Sequence, residues 1–448
     1  MKLTEREEQK RQAHNLLYAP LQEEPIDLDQ IFQVMVESLR YHYAGYEQKK
    51  RYFTPSEYRT YILSRHRYNT LSFRMLARSL HQFAADMHDR NLRFSCDDWI
   101  DYRNTDVRFR VRAQEDCLWV TEAAAETGLV PGDKILTVNR MTPEQIRHYL
   151  RYNGFYSRVP ERELWGGYLR MADDVEVEHA NGSRETRALL QFEPEEHEWP
   201  ILFSAPAEGV VCLRSERMDS AAMEQLLEAR EAEIAGCRKL ILDLRRCVGG
   251  DEEACWPLLP YLVDRPRMLS ELLADEGRYV NCSTVNCELR YRILSDAREG
   301  AGDAEQRALL DEERRFYLEN YGRGLVYREA LPLDDVLIEP AAKAPEQVVL
   351  LTDAFCENEG EQFAAMCRRC GGKVFTLGRP TMGTLDFFDP IIVSLNDHMR
   401  LSYPIAMSKA AFESRGIAEK GLPVDRYIPW SPAEIREDLL LQAALSLN

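Results

Sequence analysis

Three short runs are apolar at consecutive positions rather than at alternate ones: Lys239-Leu240-Ile241-Leu242-Asp243-Leu244, Gln347-Val348-Val349-Leu350-Leu351 and Lys373-Val374-Phe375-Thr376-Leu377. A strand that is apolar on both faces must be covered on both faces, which is the situation of parallel strands in an α/β layer. Helical patterning lies among them. Ala222, Leu226, Leu227 and Ile234 place one apolar face on a helix from Ser220 to Ala235, just after a strand at Gly209-Val210-Val211-Cys212-Leu213. The alternation predicts an α/β unit from about residue 200 onward.

The pattern differs upstream. Ile31, Val34, Met35, Ser38 and Leu39, and later Leu71, Met75, Leu76, Leu80 and Phe83, follow helical stripes, so residues 1–95 read as a helical domain that serves as a cap or an oligomerisation element. Thr54-Pro55 predicts a helix start near Ser56. From about residue 100 the period becomes two, at Val107, Phe109 and Val111 and at Leu118 and Val120. Thr142-Pro143-Glu144 opens a helix through Tyr149 and Leu150, capped by Thr142. Asn181-Gly182 marks a hairpin turn after Val175 and Val177. Residues 96–195 therefore form a β-rich domain, and 196–448 the α/β core, with a charged insertion at 266–340 that is helical from Asp303 to Glu319.

Composition removes some classes of function. With 448 residues and a formal net charge of −18, the chain offers no excess of cations for nucleic acid or for an anionic membrane surface. No segment approaches the length of apolar chain needed to span a bilayer. Met1-Lys2-Leu3-Thr4-Glu5-Arg6-Glu7 has no apolar stretch, and no signal peptide is expected. Eleven cysteines at irregular spacings fit a reduced, cytoplasmic chain better than a disulfide framework. Cys367 and Cys370 form a C-x-x-C inside a helical pattern with no matching second pair, so neither a metal site nor any cofactor is expected.

Gly128-Leu129-Val130-Pro131-Gly132-Asp133-Lys134-Ile135-Leu136-Thr137-Val138-Asn139 resembles the central motif of PDZ domains in bacterial proteases. The resemblance implies a sheet edge and a turn around Gly128 and Leu129 that take an extended peptide by its terminal carboxylate. Four later segments, in order, resemble the core of the S41 (carboxy-terminal-processing, tail-specific) peptidases. Leu240 to Gly250 is similar to a strand followed by D-L-R-x-N-x-G-G, with Cys247 in place of the asparagine. Val348 to Phe363 is similar to the strand, turn and helix of the nucleophile. Gly378-Arg379-Pro380-Thr381-Met382-Gly383 is similar to G-x-x-T-x-G, and Glu419 to Asp425 to E-x-G-x-x-P-D, with Pro423-Val424-Asp425 in place of Pro-Asp. The resemblance spans about residues 85–430. It implies a ClpP/crotonase-like ββα core behind a PDZ-like domain, and a serine-type peptidase acting on peptide or protein C-terminal tails.

Carried over residue by residue, the resemblance gives an altered site. The serine of T-x-S-x-x-E falls on Asn358, whose amide nitrogen is a poor nucleophile. The histidine of the branch that uses one falls on Asn91, which shuttles no proton near neutral pH; His88 lies nearby on another face. The lysine of the other branch falls on Thr384. Glu419 remains, as do Gly249 and Gly250, whose N–H groups can serve an oxyanion hole. Cys356 is an alternative nucleophile, its bland reading being a small buried residue. Asn358 and Glu361 have the spacing of a capping box, and Glu357 and Glu359 read as solvent-facing residues favoured at a helix N-terminus. The expectation is a pseudopeptidase; an active hydrolase, by Cys356 or a misaligned hydroxyl, and a non-catalytic oligomeric scaffold with a closed groove are the alternatives.

Overall fold

The computed structural model describes residues 27–96, 106–149, 160–170, 172–193, 199–274, 276–330 and 336–447. The stretch Met1 to Glu7, Leu150, the joints expected near 96 and 195, and part of the 266–340 insertion lie partly or wholly outside these residues.

The three apolar runs lie side by side. Lys239–Asp243, Gln347–Thr352 and Val374–Gly378 pair in parallel, with Val348 opposite both Leu240 and Val374. Val210–Arg214 and Arg426–Tyr427 extend the parallel set at its two sides, and Leu202–Ala207 closes one edge antiparallel. Leu240, Ile241, Val348, Val349, Leu350 and Leu351 are fully buried, each stabilising the fold by about 1.5–3 kcal/mol relative to exposure. One face of the sheet is covered by the helices Ser220–Gly236 and Asn358–Cys367, the other by the C-terminal helix Leu439–Ser446. The α/β class expected from sequence is the one the chain adopts.

A second sheet packs apart from the first. Arg93–Cys96, Met399–Ser408, Arg278–Cys282 and Gly324–Arg328 run antiparallel in that order, with Phe387–Ser394 also paired to Met399–Ser408. The N-terminal helices Leu28–Glu37, Pro55–Arg67 and Phe73–Ala85 bury Ile31, Met35, Leu76, Leu80 and Phe83 against this sheet. The charged insertion is a pair of helices, Thr284–Gly300 and Ala304–Glu319, carried between two strands of the same sheet. Asp303 caps the second helix by accepting the Gln306 N–H. Thr54 stands at the N-cap of Pro55–Arg67 without a side-chain bond, because Pro55 at the first position is preorganised for the turn.

The segment from Phe109 to Ala188 is a five-stranded antiparallel sheet with its own core, Leu118, Val120, Ile135, Val138, Val175 and Val177. Thr142 and Gln145 exchange capping bonds at the start of Pro143–Tyr149. This sheet docks through its edge strand Phe109–Gln114: Arg112 pairs with the buried Asp353 of the α/β core and lies over the Phe355 ring. Among the described residues no helix is long and apolar enough to cross a membrane.

Candidate active site

Three loops leave the C-terminal ends of adjacent parallel strands, the usual place for a site in such a sheet. Lys239–Asp243 runs into the Gly249-Gly250 turn, Gln347–Thr352 into the loop before Asn358, and Val374–Gly378 into the loop carrying Met382, Gly383 and Thr384. The buried Glu361 ties two of them together. Its carboxylate accepts the Gly383 N–H at 2.7 Å, the Thr384 N–H at 2.6 Å, the Thr384 hydroxyl at 2.9 Å and the Thr381 hydroxyl. Burial pushes its carboxyl up, and those four donors oppose the shift.

Thr384 is where the asparagines meet. The Asn358 N–H donates to Thr384 Oγ1 at 2.7 Å, and the Asn91 amide donates to the Thr384 carbonyl at 2.9 Å and to the Phe387 carbonyl at 2.6 Å. The positions that the resemblance assigned to serine, histidine and lysine are therefore neighbours in space. Each already has hydrogen-bond partners. The Thr384 proton goes to Glu361, the Asn91 amide is held by two carbonyls, and the Asn358 side-chain amide donates to the Val248 carbonyl at 3.2 Å.

Asn358 does not cap its helix. Glu357 is the N-cap residue, and Asn358 sits at φ +51 as the first helical residue. The left-handed turn moves the helix start by one residue, and Glu361 goes to the Thr384 loop instead of returning to Asn358. Nor does Glu359 face away: its Oε2 accepts the Gly250 N–H at 2.9 Å. Glu357 is half-buried, and burial pushes its carboxyl up against the opposing charges of Arg93 and Arg90. Arg90 donates to the Arg162 carbonyl at 3.2 Å, and the buried Arg162 guanidinium donates to the Met382 carbonyl.

Glu419 joins a different group. Lys49, buried in the N-terminal helices, donates to it at 2.8 Å and to the His88 carbonyl at 3.2 Å; Arg51 and Tyr52 also bond it. Burial would raise the Glu419 carboxyl, but these partners outweigh burial and its pKa falls. His88 stacks on Tyr52 with ring centres 4.3 Å apart, and burial lowers its pKa. It thus belongs with Glu419, while Asn91, three residues on, belongs with Thr384.

Cys356 is completely buried, and burial followed by the nearby Cys247 thiol raises its pKa well above the ordinary value. Its thiol stays protonated at neutral pH, the opposite of an activated nucleophile. Cys367 and Cys370 are also core residues. Among the described residues no three His, Cys, Asp or Glu side chains gather in a way that would hold a metal ion. In the antiparallel sheet domain, the Gly128 N–H donates to the Ala125 carbonyl at 3.1 Å and the Leu129 N–H to Thr127 Oγ1 at 3.2 Å. Both amides are used within their own turn.

Sequence reasoning missed Lys49, Arg162 and the inward turn of Glu359. Lys49 is separated from Glu419 by 370 positions, and no local pattern joins them. Glu359 follows a left-handed residue, which re-aims the first helical turn, and only the Gly249-Gly250 pair nearby marked a place for a carboxylate.

The model of peptidase family S41 matches residues 209–428. No curated protein sequence matches the chain. Among solved structures, a point mutant of CPAF is similar with a TM-score of 0.61 at 11% identity, over 94% of this chain and 98% of that one. Mature CPAF is similar at 0.59 and 11%, over 93% and 95%. CPAF complexed with lactacystin is similar at 0.58 and 11%, over 93% and 97%. Identity this low speaks for the fold alone, while the family match covers the three loops of the site. Through residues 209–428, the chain belongs to peptidase family S41.

Proposed function

We propose that this protein is a pseudopeptidase, an S41-fold protein that holds polypeptide tails without hydrolysing them. One observation carries the reading: the residues at the nucleophile and base positions, Asn358, Asn91 and Thr384, converge on one point, and each spends its polar groups on backbone or on Glu361. Hydrolysis needs a nucleophile that is both activated by a base and open to substrate; the one hydroxyl at these three positions, Thr384, does reach a carboxylate, but it is buried and its oxygen is held between the Glu361 carboxylate and the Asn358 N–H. Polypeptide binding is supported by the placement of the PDZ-like sheet. Arg112 fixes its edge strand to Asp353, five residues before Asn358, so a chain held along that module lies close to the site. Eleven free thiols, nine of them buried, suit a reducing compartment such as the cytoplasm.

A second reading, a scaffold with a closed groove, draws on the Glu359–Gly250 bond. Hydrolysis through Cys356 is opposed by the burial of that thiol.

The test is to incubate the native protein with unfolded polypeptides of varied C-terminal sequence, following intact masses over hours and binding by fluorescence anisotropy. Binding with unchanged masses is the expected result. New fragments that disappear in Cys356→Ala or Thr384→Val would sink the proposal, and intact masses without binding would favour the scaffold.

A further inference from the structure

Glu359 is the residue after Asn358, and its carboxylate oxygen lies 2.9 Å from the Gly250 nitrogen. The backbone there is shaped for close approach. Gly249 and Gly250 have φ of +116 and +137. A methyl carbon on Gly249 would stand 2.5 Å from Glu359 Oε2 and 3.1 Å from Asn358 Cβ, and one on Gly250 would stand 1.9 Å from the Met218 carbonyl oxygen. Only glycines leave this turn open, and what fills the opening is a carboxylate from the same chain. Among the described residues no lysine or arginine pairs with Glu359. The Gly250 amide and the positive end of the helix Asn358–Cys367 are what hold it. Arrangements of this kind, a turn amide beside a helix N-terminus, receive oxygens that carry negative charge.

We propose that Glu359 is an internal plug on the Gly250 amide, occupying the place of an oxyanion, so that a polypeptide carbonyl or carboxylate binds that amide only by displacing it. The inference rests on the pseudopeptidase reading for the identity of this amide as an oxyanion donor. It adds a third block to the two lost catalytic groups, one that restoring serine and histidine would leave in place.

A fluorophosphonate probe tests this without knowledge of the substrate. The Asn358→Ser, Asn91→His variant is compared with the same variant carrying Glu359→Ala. On labelling, the introduced hydroxyl oxygen bonds to phosphorus, fluoride leaves, the proton passes to the introduced imidazole, and the phosphoryl oxygen turns to the Gly250 N–H. Loss of one oxyanion donor slows such reactions by roughly 10²–10³, so removing the plug is expected to speed labelling about a hundredfold. Equal rates, including no labelling of either variant, would overturn the plug. A second measurement avoids the introduced groups altogether. In the otherwise native chain, Glu359→Ala should move the Gly250 amide proton upfield and hasten its exchange with solvent; an unmoved resonance overturns the inference. The pseudopeptidase reading fails by a separate sign, cleavage of polypeptide by the native protein.

Discussion

Asn358 stands in a left-handed region that glycine enters freely, asparagine tolerates and β-branched residues resist. Asn358→Gly should therefore leave stability within about 1 kcal/mol of native, while Asn358→Val should cost about 2 kcal/mol; urea unfolding reads both, and equal effects would contradict the strained geometry. Glu361 is the other decisive residue. Glu361→Ala strands two N–H groups and two hydroxyls in a dry site, and a loss of roughly 3 kcal/mol or more is expected. Glu361→Gln keeps one acceptor and should lose less; if it loses as much, charge rather than acceptance governs the loop. The motifs assigned Asn358, Asn91 and Thr384 to nucleophile and base positions but left open whether they meet, and it is the fold that brings them together, away from Glu419. Nor did the motifs carry the partners. A capping box read from Asn-x-x-Glu presumes that Asn358 lies outside the helix, and one left-handed residue sends both glutamates elsewhere.

Two elements are anchored to the α/β core by cations that reach across from another segment. Lys239, on a central strand, donates to the carbonyls of Ala444 at 2.8 Å and Leu445 at 3.2 Å, and also to Leu447, satisfying the end of the C-terminal helix. Lys239→Met should cost about 2–3 kcal/mol through these stranded carbonyls, and hydrogen exchange should rise first in Leu439–Ser446. Uniform exchange across the sheet would show that the lysine serves the strand instead. Arg112 does the corresponding work for the antiparallel sheet. Breaking its pair with Asp353 is expected to cost about 3 kcal/mol or more, and a double-mutant cycle of Arg112→Met with Asp353→Asn should return a coupling of about 1–3 kcal/mol. Additive effects would mean that this pair does not join the two domains and that bonds such as Arg246 to Glu122 do so instead. The strands themselves were legible from Leu240, Ile241, Val349 and Leu350, since an unbroken apolar run admits few environments. The docking was not, because Arg112 and Asp353 lie 241 positions apart and each looks like a surface charge in its own segment.

The N-terminal helical region holds two buried acids that make the stability of the whole molecule depend on pH. The Asp86 carboxyl is pushed up to about 8 by burial, against the Tyr58 hydroxyl that donates to it at 2.5 Å; burial likewise brings Asp89 to about 6. A carboxyl whose folded pKa exceeds its unfolded one binds more protons when folded, so its contribution weakens as pH rises between the two values. For Asp86 that window runs from the ordinary carboxyl range to about 8, and for Asp89 to about 6. Folding stability should accordingly fall between pH 5 and pH 8, and Asp86→Asn should flatten that slope; a slope unchanged in the variant would assign it to other groups. Seen at this scale, the meeting of segments at Thr384 bears on descent. Asn91 joins the loop after Arg90 to the Phe387 strand, and Asn358 closes onto the same threonine. Asn358 bonds Thr384 through its backbone N–H, which a serine would keep, but replacing Asn91 by histidine removes the amide that bridges the Thr384 and Phe387 carbonyls, and Glu359 would still sit on the Gly250 amide. On the proposed pseudopeptidase reading, a return to hydrolysis therefore needs several replacements at once, and the one at Asn91 loosens two loops before any reaction is gained.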